Sequence, residues 1–138
     1  MKTDLAKILT VSGQHGLWLY IAQARNGAVA ERLSDKKRSV LDAHSRMTTL
    51  EDISIYTSEG EMKLKEVFRA LQAKLGTEKA PTSKAADKDI RGLFEAAVPD
   101  YDADRFYLSH MKKVVDWYNE LAEFASLDFE DHEEREDA

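Results

Sequence analysis

The sequence predicts an α+β fold: a small, bent antiparallel sheet with one packed helix, followed by a two-helix lobe. Three observations carry this. Turn-forming residues punctuate residues 1–57, with short apolar runs between them. From Leu64 the apolar spacing lengthens from the strand period of two to the helical period of 3.6. Residues 77–86 then hold a proline and no large apolar side chain.

Ala6–Ser12 reads as the first strand, closed by Ser12-Gly13-Gln14-His15-Gly16. Gly16–Gln23 is the second, rich in aromatic and β-branched residues. Its faces, Leu17/Leu19/Ile21 and Trp18/Tyr20/Ala22, are both apolar, which predicts a strand that is central or covered on both sides. Asn26-Gly27 is a strong hairpin signal, because both central residues of such a turn take positive φ. Ala28–Leu33 follows, then the polar turn Ser34-Asp35-Lys36-Lys37, then short strands at Ser39–Leu41, Met47–Leu50 and Asp52–Thr57. So many short strands with tight connections make an SH3-like barrel the candidate architecture.

Leu64, Val67, Phe68, Leu71 and Leu75 form a helical stripe, with Ser58–Glu61 as the turn before it and Gly76 as its C-terminal stop. A second helix is expected from Asp87 to Val98, capped by Asp87 and stopped by Pro99. A third is expected from Ser109 to Ala125, with Trp117 and Phe124 widening its apolar face. The expected organisation is a β-rich lobe with one helix (1–76), a flexible linker (77–86), a helical lobe (87–126) and a disordered acidic tail (127–138).

The net charge of −6 resides in that tail, where residues 127–138 carry seven acids and one base. The rest of the chain holds 19 of each sign, so the acidity does not repel a polyanion from the body. There is no cysteine, which excludes disulfides, thiolate metal sites and thiol nucleophiles. The first residues do not read as a signal peptide, and the longest apolar run, Leu17–Ala22, is far short of a membrane span. A soluble, cytoplasmic protein with no membrane partner is expected.

Asp100, Asp102 and Asp104 alternate like the opening of a calcium loop. Arg105 stands where the motif needs glycine, and Met111 where it needs a bidentate glutamate, so a capped polar connection is the better reading. His15, His44, His110 and His132 show no helical metal-ligand spacing, and Asp42-Ala43-His44-Ser45 is adjacency rather than a triad. With no nucleophile elbow or phosphate-cradling loop, no cofactor and no catalytic residue are assigned, and a non-enzymatic protein is expected.

Two surfaces are candidates for interaction. Trp117, Tyr118, Trp18 and Tyr20 would present aromatic area to a protein partner or a second copy of the chain. Alternatively Arg32, Lys36, Lys37, Arg38 and Arg46, beside sheet aromatics, would form a patch for nucleic acid, with charge tracking phosphate and rings stacking bases.

Several stretches resemble a group of bacterial proteins, common in Bacteroidetes, known as domains of unknown function. They are Leu5-x-x-Ile8-Leu9-x-Val11-Ser12-Gly13-x-x-Gly16-Leu17, Leu50-x-Asp52-Ile53-Ser54-Ile55-Tyr56-Thr57, Leu64-Lys65-Glu66-Val67-Phe68, Val98-Pro99-Asp100-Tyr101-Asp102, and Ser109-x-x-Lys112-Lys113-Val114-x-x-Trp117-Tyr118-Asn119. The resemblance implies a β N-terminal domain followed by a small helical one, and no activity, cofactor or site residue.

Overall fold

A computed structural model describes residues 3–11, 16–42 and 46–129. The fold is α+β. Strands β1 (Ile8–Val11), β2 (Trp18–Ala24), β3 (Gly27–Arg32), β4 (Arg38–Asp42) and β5 (Met47–Thr49) form an antiparallel sheet in the order β4-β3-β2-β1-β5. β6 (Ser54–Thr57) and β7 (Gly60–Lys63) make a separate hairpin, and α1 (Leu64–Leu75), α2 (Asp87–Ala97) and α3 (Leu108–Phe124) complete the chain.

The expected barrel does not close. β4 and β5 end the sheet at opposite edges and do not pair with one another. The sheet nonetheless buries residues on both faces, although β2 itself buries only Trp18 and leaves Tyr20 and Ala22 exposed, so it is not covered on both sides along its length. Ile8, Leu17 and Leu33 enter the main core with the helices. Leu9, Val11, Trp18, Ala30 and Leu41, with Met47 against them, make a second small cluster on the β-sheet.

Three local expectations change. The β2–β3 turn lies at Arg25–Asn26, with Ala24 opposite Gly27, and neither Asn26 nor Gly27 takes positive φ. Cross-strand register, set by which side chains must be buried, overrides the dipeptide signal. β7 lies where a turn is expected; its single large apolar residue, Met62, pairs with Ile55, too sparse an alternation to read as a strand. α3 begins at Leu108 rather than Ser109, and the backbone N–H of Tyr107 donates to His110 Nδ1 at 3.2 Å.

The main core draws on both expected lobes. Leu5, Leu17 and Leu50 meet Val67, Phe68 and Leu71 of α1, Ile90 and Phe94 of α2, and Met111, Val115, Tyr118 and Leu121 of α3. The composition of residues 77–86 suggests a free linker, yet Ala80 is buried and its backbone is held by Asn119 of α3. The start of the expected acidic tail is also docked. The Asp128 backbone carbonyl accepts the Thr3 N–H at 2.7 Å, and Phe129 is 3% exposed with its ring 5.7 Å from that of Phe68. Net charge masks this in the sequence: one aromatic residue outweighs its charged neighbours once a slot exists for it. The remainder of the tail lies outside the described residues.

A groove between the sheet and the last helix

An open groove of about 1220 Å³ lies where the β1–β5 end of the sheet faces α3. Its sheet side is lined by Thr10, Val11, Arg32, Arg46 and Thr48, where Thr10 and Thr48 are cross-strand neighbours. Its helix side is lined by Lys112, Lys113, Asp116, Trp117, Glu120, Glu123 and Phe124, with Thr82 and Ser83 at the rim. Helical spacing explains the second set, since residues three and four apart share a face.

The groove carries both signs of charge. Lys112 and Lys113 stand towards the start of α3 and the three carboxylates follow at i, i+4 and i+7. Asp116 accepts the Ser83 N–H at 3.0 Å and Glu120 accepts the Leu17 N–H at 2.8 Å. Among the described residues none of Asp116, Glu120 and Glu123 forms an ion pair. Burial raises the Glu120 pKa, the Leu17 N–H opposes the rise, and the charges of Asp116 and Glu123 add to it.

The structure divides the sequence-predicted residues. Trp18 is 3% exposed, part of the second cluster, with the Arg32 guanidinium 4.9 Å from its ring centroid. Tyr118 is 1% exposed and lies 6.2 Å from the Phe68 ring. Both are therefore core residues, Trp18 in the sheet's own small cluster and Tyr118 in the main core with the helices. Tyr20 is partly exposed on β2 and does not line the groove. Trp117 is half-buried and does.

The basic residues also separate. Arg32 and Arg46 line the groove, although Arg32 is bridged to Asp35 at 3.2 Å. Asp35 has a lowered pKa, first because its carboxylate accepts the Lys37 N–H and also because Arg32 and Lys37 lie near. Lys36 takes φ 62° in the β3–β4 turn and its Nζ lies 3.5 Å from the Phe124 carbonyl. Lys37 is exposed in the same turn, and Arg38, on the edge strand β4, pairs with Glu31 of β3. The five do not all meet in the groove. The polar face of α3 was missed by sequence reading; its signal is the i, i+4, i+7 spacing of Asp116, Glu120 and Glu123.

Asp102 caps a turn: its carboxylate accepts the Asp104 N–H at 2.9 Å and pairs with Arg105 at 3.4 Å. Among the described residues no three of the metal-ligating types gather into a cluster. His110 caps α3, while His15, His44 and His132 lie outside the described residues, as do Ala43–Ser45. No helix among the described residues is long and apolar enough to cross a membrane.

Residues 53–121 match the model of a domain of unknown function, DUF6852, across half of the chain. The chain belongs to the DUF6852 family. Residues 5–50 of this DUF6852 member match a second domain of unknown function, DUF5606, so the two models meet at the 3₁₀ turn Leu50–Asp52 that follows β5. The first covers the hairpin and helices, the second the five-stranded sheet. The chain is also similar to a Bacteroides vulgatus protein whose solution NMR structure was determined in structural genomics. The two share 31% identity and a TM-score of 0.73 over 93% of this chain and 98% of that one. Among curated proteins none matches. The expected resemblance to domains of unknown function therefore holds, and the groove falls within matched segments apart from Glu123 and Phe124.

Proposed function

We propose that this DUF6852 member is a non-enzymatic, cytoplasmic protein-interaction module that takes a segment of a protein partner in the groove between β1–β5 and α3. The observation that carries the reading is Trp117, half-buried beside Arg46, Lys113 and the carboxylates of Asp116, Glu120 and Glu123, which form no ion pair among the described residues. An aromatic anchor inside a polar rim is how protein interfaces concentrate binding energy. Groups of both signs suit a polypeptide, which offers both signs in return.

Nucleic acid is the second reading, favoured by Arg32, Arg46 and Lys113 in the same groove. It ranks lower because Asp116, Glu120 and Glu123 would repel a phosphate backbone. A photo-crosslinking amino acid at position 117, with one at Gln72 on the exposed side of α1 as control, tests the protein reading in cells. A defined protein adduct at 117 and none at 72 is expected; equal labelling at both would remove the groove reading. Titration with mixed RNA and DNA oligonucleotides at two salt concentrations tests the second: binding that weakens steeply with salt would promote it, and no binding at low salt would end it.

A further inference from the structure

Two stripes run along α3. Met111, Val114, Val115, Tyr118 and Leu121 are buried in the main core. Lys113, Asp116, Trp117, Glu120 and Phe124 lie along the groove wall, and none of them is fully buried. The steps along this outward stripe are three or four residues, the repeat of about 3.5 that lets one helix lie along another.

The outward stripe is its own complement when a second copy of α3 runs antiparallel beside it. With a two-fold axis between Asp116 and Trp117, Lys113 of each copy stands level with Glu120 of the other. Asp116 stands level with Trp117 of the second copy, so the two indoles meet across the axis. Ser109, exposed one turn before Lys113, stands level with Phe124. A parallel pairing would instead set Glu120 beside Glu120 and Lys113 beside Lys113, which like charges oppose.

These charges are not balanced inside the chain. Lys113 has no ion pair or hydrogen bond among the described residues, and neither Asp116 nor Glu120 has a cation within ion-pair reach there. The Leu17 N–H donates to Oε2 of Glu120 and leaves Oε1 without a hydrogen-bond partner among the described residues. Burial first, and then the charges of Asp116 and Glu123, raise the Glu120 pKa, as befits a carboxylate lacking a cation. Across the groove the sheet wall holds Arg46, also without an ion pair, opposite a helix that brings Asp116 and Glu123 inward.

We propose, building on the groove as a protein site, that its occupant is a second copy of this chain, whose α3 packs antiparallel against α3 about a two-fold axis between Asp116 and Trp117. Each copy then offers its helix to the groove of the other, as an isologous interface requires. Trp117 is the anchor, and the two Lys113–Glu120 pairs set register and direction.

Sedimentation equilibrium of the full chain, from about 1 μM to about 1 mM, tests the pairing. The natural chain is expected to pass reversibly from monomer to dimer. Lys113→Glu sets like charges across both pairs, as does Glu120→Lys, and each variant alone should associate about tenfold more weakly. Mixed in equal amounts the two should dimerise again, because each supplies the charge the other lacks. Amide NMR spectra confirm that each variant is folded. The chain has no cysteine, so single cysteines report the register without touching Glu120. Asp116→Cys, beside the axis, should yield a disulfide-linked dimer on mild oxidation, and Gln72→Cys, exposed on α1, should not. A monomer at every concentration overturns the proposal, while a different protein crosslinked at position 117 would still uphold the groove as a protein site. A dimer that both charge variants retain, a folded mixture that fails to associate, or equal disulfide formation at 72 and 116 overturns it as well.

Discussion

The side-chain amide of Asn119 brackets the backbone of Ala80, accepting its N–H at 2.9 Å and donating to its carbonyl at 3.0 Å. One side chain of α3 thereby replaces both backbone partners that a strand would have supplied, in a segment with no regular structure. Asn119→Ala leaves a buried donor and acceptor unmet and should cost about 2 kcal/mol in chemical denaturation. It should also speed amide exchange at Ala80. Unchanged protection there would show that the bracket does not hold the segment.

Phe129 should matter to stability despite its acidic surroundings. Its ring fills a slot against Phe68, and its carbonyl lies 3.4 Å from Arg69 Nη2. Phe129→Ala is expected to lower unfolding free energy by about 3 kcal/mol, the usual penalty for emptying a buried aromatic site. A change below about 0.5 kcal/mol, the range of ordinary surface substitutions, would contradict the docking.

The two tryptophans should differ in solvent access. Trp117→Phe leaves Trp18 as the sole indole, enclosed in the second cluster with its Nε1 unpartnered among the described residues. Its emission should be blue-shifted and resist acrylamide. Trp18→Phe, leaving Trp117 in the groove, should give a more readily quenched chain. The opposite order would place Trp117 in the core.

Tyr118 and its hydroxyl should separate in effect. The ring is buried beside Phe68, and the hydroxyl has no partner among the described residues. Burial raises its pKa. Tyr118→Phe keeps the ring and removes the unpaired group, so stability should stay level or rise by about 1 kcal/mol, whereas Tyr118→Ala should cost about 4 kcal/mol. A large loss in the phenylalanine variant would reveal a partner for the hydroxyl.

Glu120 sets a pH dependence. Its folded-state pKa is raised above the unfolded one, so the folded chain holds the proton more tightly. Its contribution to stability is therefore full below the unfolded pKa and lost as pH rises through the folded pKa. Glu120→Gln should raise Tm at neutral pH, and the difference should vanish at about pH 3, below the ordinary glutamate range. A lower Tm than wild type at neutral pH would mean that the carboxylate's bond to Leu17 outweighs its burial.

The α+β class and the three helices were legible because periodicity is a local property. Leu64, Val67, Phe68 and Leu71 announce α1 whatever surrounds them, and Gly76, at φ 62°, ends it where a side chain would be strained. Most strands were legible for the same reason, and β7 was not, since its pairing with β6 is its main support. What the sequence by itself determined is this series of elements and the family to which they belong. Only the tertiary structure decided that Trp18 and Tyr118 are core while Trp117 faces the groove, that Ala80 and Phe129 are tied to the body, and that the sheet stays open. Each depends on which surfaces meet across long separations in sequence. Burial is a property of that meeting and not of the residue, so two adjacent aromatic residues, Trp117 and Tyr118, end in different environments on one turn of α3.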